Sequence, residues 1–163
     1  MARTKSIVFP NTLSEFSALF DKLQRVVTAQ LLNTGALAIG TAKAKVLIAN
    51  TIYALIEGVL VKKTTAEIVL SGTVTNAKFN VYVLSINAAG TVAAQMGTEA
   101  ATIGGVTFPT IADGSAVIGF VIVNPTGTGN FVGGTTELDD ATVAPNAVYV
   151  NTPYPFLPGL QTL

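Results

Sequence analysis

The sequence offers reactive side chains in one acidic cluster, Glu137–Asp140, which follows a glycine-rich run from Gly127 to Gly134. Carboxylate oxygens can bind calcium, a separated carboxylate pair can hydrolyse glycosides, and glycine-rich loops can hold phosphates. The spacing does not match a calcium loop, aromatic residues for a glycan cleft are scarce, and no lysine follows at Walker spacing. The pattern therefore favours a solvated acidic turn, and it predicts a β-hairpin with a long loop for the glycine-rich run.

Two absent residue types restrict the chemistry further. The sequence contains no histidine and no cysteine, so the usual general base, the thiolate nucleophile and the best transition-metal ligands are missing. Catalytic triads, thiolate zinc sites and disulfides are excluded. We therefore expect a protein that is not an enzyme, with no catalytic residue, no cofactor and no metal site. A hydrolase that uses only Glu137 and Asp139 is the weaker alternative.

An amphipathic helix is predicted over residues 11–33. The spacing of Thr12 and Glu15 matches a capping box, and Gly35 follows the last periodic residue. Apolar residues recur at intervals of three and four, which makes one stripe: Leu13, Phe16, Leu19, Phe20, Leu23, Val26, Val27 and Leu31. The stripe could pack on the chain's own sheet or on a neighbouring subunit.

Beyond Gly35 the pattern changes to short β-branched runs separated by Gly, Asn, Asp and Pro. Strands are expected at residues 36–40, 45–49, 51–55, 59–62, 66–71, 79–86, 91–95, 117–123 and 148–150. Hairpin turns are expected at Glu57-Gly58 and Asn87–Gly90, and the strand at 79–86 should be buried on both faces. The predicted fold class is mainly β, with an antiparallel β-sandwich or jelly-roll-like domain preceded by one N-terminal amphipathic α-helix.

Three segments follow from this pattern: an N-terminal arm and helix over residues 1–34, a β-sandwich domain over 35–151, and a proline-rich, extended C-terminal arm over 152–163. The arm docks on its own domain or on a neighbour. The candidate interaction residues are the apolar side chains of the helix and the arm, namely Phe16, Leu19, Phe20, Leu23, Val27, Tyr154, Phe156 and Leu157.

The composition favours assembly. Half of the residues are apolar and 11% are charged, against an ordinary charged fraction of about 25%. The longest apolar stretch, residues 46–61, is interrupted by polar residues and is too short for a membrane span, and the N-terminus does not resemble a secretory signal. The surplus apolar surface therefore indicates a buried interface between subunits.

Charge is unevenly divided along the chain. Nine basic and four acidic residues precede Phe79, and five acidic residues follow it without a single Lys or Arg. Copies could meet basic side to acidic side, or the charges could mix on one compact surface. Nucleic-acid binding is not expected of a neutral chain. The exposed lysines are better interpreted as residues that protect sheet edges: Lys43, Lys45, Lys62, Lys63 and Lys78.

Two segments, residues 37–60 and Gly134–Asp139, resemble segments of small virion structural proteins of tailed bacteriophages. The resemblance extends loosely over residues 36–157 and contains no diagnostic motif. It implies a non-enzymatic capsid decoration or cement protein, favouring a homotrimer, that stabilises the phage head by binding across major capsid protein junctions. It also implies a location on the capsid surface of the virion, and in the host cytoplasm before assembly. No membrane partner is expected. The alternative is a fibre, tail or adhesin domain that binds a host-surface glycan or protein.

Overall fold

The computed structural model describes residues 13–145 and 147–152, without some side chains of the first helix. Helix α1 (Leu13–Thr28) leads directly into the first strand. The strands are β1 (Ala29–Leu31), β2 (Leu37–Ile39), β3 (Lys45–Ile48), β4 (Ile52–Ile56), β5 (Val59–Lys63), β6 (Ala66–Val69), β7 (Thr73–Val74), β8 (Asn80–Asn87), β9 (Val92–Met96), β10 (Ser115–Val123), β11 (Phe131–Val132) and β12 (Val148–Asn151). A short 3-10 helix, Ile103–Gly105, lies between β9 and β10. Within the described residues, no helix is long and apolar enough to cross a membrane.

The described strands pair antiparallel in four sheets. The largest has the strand order β12-β10-β8-β9, two three-stranded sheets have the orders β1-β4-β5 and β2-β3-β6, and β11 pairs with β7. The largest sheet and the β2-β3-β6 sheet meet at both edges. β2 lies beside β12, where Leu37 N donates to Asn151 Oδ1 at 2.9 Å, and β6 lies beside β9. These two sheets therefore enclose one core.

The core has two parts, one on each face of the largest sheet. Side chains from the three larger sheets and from the β7 and β11 strands fill the main cluster, in which Tyr82, Phe131 and Ile118 are among the largest buried groups. A second cluster packs Val83, Phe108 and their neighbours on the opposite face. Strand β8 is buried along nearly its whole length, which confirms the expectation of a strand covered on both faces.

Both predicted hairpin turns are confirmed. Glu57 and Gly58 have φ values of +50° and +80°, the positive values that a two-residue type I′ turn requires. Asn87 Oδ1 accepts hydrogen bonds from the backbone N–H groups of Ala89 and Thr91, while Gly90 takes a φ of +75°. These turns fix the registers of β4 with β5 and of β8 with β9.

The predicted fold class is wrong, although the mainly β content is right. From residue 29 onward, 44% of the described chain is strand and no helix reaches seven residues. The described strands form four sheets, which fits the β-rich part of the prediction. The β fold begins at residue 29, after α1, and it does not include an N-terminal amphipathic helix. On α1, Phe16, Phe20, Leu23 and Val27 are each more than half exposed. Their stripe is not covered by the sheets, which build their core without it.

Two further expectations are corrected by strand pairing. The helix was expected to reach residue 33, but it ends at Thr28, and Leu31 belongs to β1, which pairs with β4. The glycine-rich run is not a hairpin, because Phe131 and Val132 pair with Val74 and Thr73, far away in sequence.

Candidate functional site

The acidic cluster is held by a lysine of the β2–β3 turn. Lys43 Nζ lies 2.8 Å from Asp139 Oδ2 and 4.0 Å from Glu137 Oε2. The hydrogen bond and charge of Asp139, followed by the charge of Glu137, raise the pKa of Lys43. Leu138 is buried between these carboxylates, and its N–H donates to Lys43 O at 2.9 Å. The cluster therefore fastens a loop to the fold.

Asp140, the last acidic residue of the cluster, is engaged with its own loop. Its Oδ1 accepts hydrogen bonds from the backbone N–H groups of Thr142 and Val143 at 2.7 and 3.0 Å. These bonds lower the pKa of Asp140. In the part of the chain that the structure describes, no group of three or more His, Cys, Asp or Glu side chains could hold a metal ion.

A second carboxylate, Glu99, stabilises the turn after β7. Its oxygens accept hydrogen bonds of 2.8 Å from Thr75 N, Thr75 Oγ1 and Lys78 Nζ. The bond from Lys78, then those from Thr75, lower the pKa of Glu99 to about 2. Asn76 N also donates to Asn130 Oδ1 at 2.9 Å. This cluster joins three loops, and its carboxylate, with a pKa of about 2, is ionised at neutral pH.

These ion pairs decide how the charges are distributed in space. Lys43 and Lys78 belong to the basic part of the sequence, whereas Asp139 and Glu99 belong to the acidic part. At these two places the basic and acidic parts of the sequence meet in ion pairs inside one chain. Lys62 and Lys63 of β5 make no ion pair with the described residues.

The most exposed apolar surface of the sheets is the solvent side of β1-β4-β5. Along β4, Ile52, Ala54 and Ile56 are fully buried, while Tyr53 and Leu55 point the other way and are 39% and 38% exposed. Register places Leu60, which is 63% exposed, opposite Leu55, and Lys62 opposite Tyr53. Leu32 follows β1 and donates its N–H to Tyr53 O at 2.8 Å. We call Leu32, Tyr53, Leu55, Leu60 and Lys62 the outer face.

The outer face is apolar but has one cation at its margin. Lys62 Nζ lies 6.0 Å from the centroid of the Tyr53 ring, at the limit of a cation–π contact. The apolar members are neighbours on one sheet face, and contiguous exposed apolar patches rimmed by polar groups mark interaction sites. The outer face is therefore the candidate functional site.

Four of the residues expected from the sequence to interact lie on α1, outside the outer face. Phe16 and Phe20 are exposed on α1 with ring centroids 4.9 Å apart, and Leu23 and Val27 are exposed on the same helix. The side chain of Leu19 lies outside the described residues, as do Tyr154, Phe156 and Leu157. The role of all these residues stays a prediction.

The outer face itself was missed at the sequence level. The signal was present: in Ile52–Ile56 every residue is apolar, so a strand there must show apolar side chains on both faces. The hairpin partner, beginning Val59-Leu60-Val61, has the same property.

Comparisons with family models, with curated proteins and with solved structures found no match. The function must therefore be inferred from this surface and from the chemistry of the chain.

Proposed function

We propose that this chain is a non-enzymatic structural protein of a virion that assembles with copies of itself and binds the capsid surface as a decoration or cement protein. The observation that carries the assembly is the outer face, where Leu32, Tyr53, Leu55 and Leu60 present apolar side chains to solvent. The capsid as the larger partner is favoured by the resemblance to virion proteins of tailed phages.

The rigidity of the outer face supports this role. Ile52, Ala54 and Ile56 anchor its central strand in the core with no exposed surface. A surface held in this way loses little conformational entropy on binding, which favours stable association. The loops are held by ion pairs and hydrogen bonds, as at Lys43 and Glu99, so the chain presents a preformed shape to its partners.

The experiment measures the mass of the purified full chain by light scattering, and its co-sedimentation with heads assembled from the major capsid protein of the same virus. We expect an oligomer that binds the heads. Leu55→Lys should weaken self-association or head binding, because it places a charge at the centre of the outer face. Val132→Lys is the matched control, since Val132 is 40% exposed on a different sheet and Leu55 is 38% exposed.

A monomer that binds no heads would contradict the proposal. Equal effects of Leu55→Lys and Val132→Lys would contradict the role of the outer face. Binding to immobilised glycans without any binding to heads would replace the proposed function with that of an adhesin domain.

A further inference from the structure

Strand β5 has a free edge. It pairs with β4 on one side, and among the described strands none lies along its other side. The other edges of the three larger sheets have neighbours: β2 lies beside β12, β6 beside β9, and β1 beside β10. Among the described strands, β5 therefore offers a free edge at which its sheet can be extended.

The hydrogen-bonding groups of this edge can be assigned from the hairpin. Ile56 and Val59 flank the two-residue turn and form a hydrogen-bonded pair, and such pairs alternate with non-hydrogen-bonded pairs along antiparallel strands. The N–H and C=O groups of Leu60 and Lys62 therefore point away from β4. An unpaired row of this kind can accept another strand.

The side chains of β5 are arranged to suit an antiparallel copy of the same strand. Val61 lies at the centre, with the exposed apolar residues Val59 and Leu60 on one side and Lys62 and Lys63 on the other. If two copies pair antiparallel about Val61, Leu60 is opposite the partner subunit's Lys62, and Val59 is opposite the partner subunit's Lys63. No two like charges lie directly opposite each other: Lys62 and the partner subunit's Lys62 are diagonal neighbours, whereas a parallel copy in register would place each lysine beside its own equivalent.

Charges of opposite sign lie at the two ends of the strand. Glu57, in the turn before β5, extends towards Gly114, where a Cβ atom would lie 2.8 Å from Glu57 Oε1. Lys63 lies at the other end of β5, where it pairs with Ile52 of β4, whose side chain faces the core. In this register Glu57 is opposite position 65 of the copy, so the partner subunit's Lys63 is its diagonal neighbour two positions away, and this arrangement of opposite charges occurs twice because it is symmetric.

We propose that two copies of this chain associate by pairing β5 with β5 about a two-fold axis at Val61. The two β1-β4-β5 sheets then form one six-stranded sheet, and the two outer faces form one continuous apolar surface. This inference rests on one part of the proposed function, the self-association of the chain, and it adds which strands make the contact between copies.

The first test is the mass of the full chain over a wide range of concentrations. We expect a dimer of twice 16.8 kDa. Leu60→Lys places a lysine opposite the partner subunit's Lys62 at both ends of the contact and should raise the dimer dissociation constant about a hundredfold. Val148→Lys is the matched control on the edge strand β12, where Val148 is 49% exposed, and it should leave the constant unchanged.

The second test is charge reversal. Glu57→Lys and Lys63→Glu should each weaken the dimer about tenfold at low salt, because each replaces two attractive pairs with repulsive ones. The double variant should restore the wild-type constant. Thermal unfolding of each variant as a monomer shows whether the fold is intact.

The outcomes separate this inference from the proposed function. A trimer, or a dimer that Val148→Lys weakens and Leu60→Lys does not, overturns the β5 contact while self-assembly stands. Two single reversals without rescue in the double variant also overturn it. A monomer at every concentration overturns both.

Discussion

The carboxylate of Glu99 makes the stability of this protein depend on pH in a predictable window. Its oxygens accept three hydrogen bonds, from Thr75 N, Thr75 Oγ1 and Lys78 Nζ. The pKa of Glu99 in the folded chain is lowered from 4.5 to about 2. A lowered pKa means that the ionised carboxylate stabilises the folded state above pH 4.5, and that this contribution is lost as the pH falls towards 2.

Screening by solvent limits how much the Glu99 carboxylate contributes to the free energy of unfolding. Each pKa unit corresponds to about 1.4 kcal/mol, so a full conversion of the shift would give about 3 kcal/mol. The side chains of Glu99 and Lys78 are 24% and 42% exposed, and water screens pairs of this kind. We therefore expect Glu99→Gln to lower the free energy of unfolding by about 1–2 kcal/mol at neutral pH.

The assay is urea unfolding of wild type and Glu99→Gln from pH 7 to pH 2, followed by circular dichroism. The difference between the two proteins should be constant down to about pH 5, shrink below pH 4.5 and be mostly lost near pH 2. Glu137→Gln is the control, since it removes a 56% exposed carboxylate 4.0 Å from Lys43 and should change little. A loss in Glu99→Gln that is the same at pH 7 and pH 2 would refute the electrostatic explanation.

Three other predictions concern the loops. Leu138→Ala should lower the free energy of unfolding by about 2–4 kcal/mol, because Leu138 is the buried anchor of the acidic loop; a change below that range in urea unfolding would show that the loop is not held by this side chain. Gly127→Ala should cost about 3 kcal/mol or more, because its Cβ would overlap Thr142 O; unchanged thermal unfolding would show that the loop moves freely. Ala77→Gly should raise stability by about 0.5 kcal/mol, because Ala77 has a φ of +61°, and an unchanged or lower urea midpoint would contradict this.

The strands were predictable where apolar and turn residues alternate clearly. The run Ile52–Ile56, the turn Glu57-Gly58 and the run Val59–Lys63 form the hairpin that the sequence indicates. The strands β7 and β11 have only two residues each, and two residues carry no periodicity. Their pairing depends on burial of Val74 and Phe131 in the core, which is a tertiary effect.

The end of the helix illustrates a second limit. Leu31 fits the helical spacing, yet the chain turns into β1 after Thr28. Thr28 O accepts a hydrogen bond from Glu57 N at 2.7 Å, and residues 29–31 pair with 54–56. Strand pairing with a segment more than twenty residues away overrides the local pattern, so no inspection of the helix alone could place its end. A truncation that tests the helix should therefore stop at residue 28, because removing residues 29–31 would also remove an edge of the sheet.

The charge pattern along the sequence does not predict which charged side chains pair in the folded chain. An excess of positive charge before Phe79 and of negative charge after it left two interpretations open, copies meeting basic side to acidic side or charges mixing on one compact surface. Antiparallel folding brings Lys43 to Asp139 and Lys78 to Glu99 within one chain, and a partner tethered in the same chain outcompetes one from another molecule. Among the described side chains outside these ion pairs, one hairpin has a charge asymmetry of its own, with Glu57 at its turn and Lys62 and Lys63 at its open end. Salt should therefore weaken association only modestly, since this contact has two pairs at its rim and apolar residues at its centre.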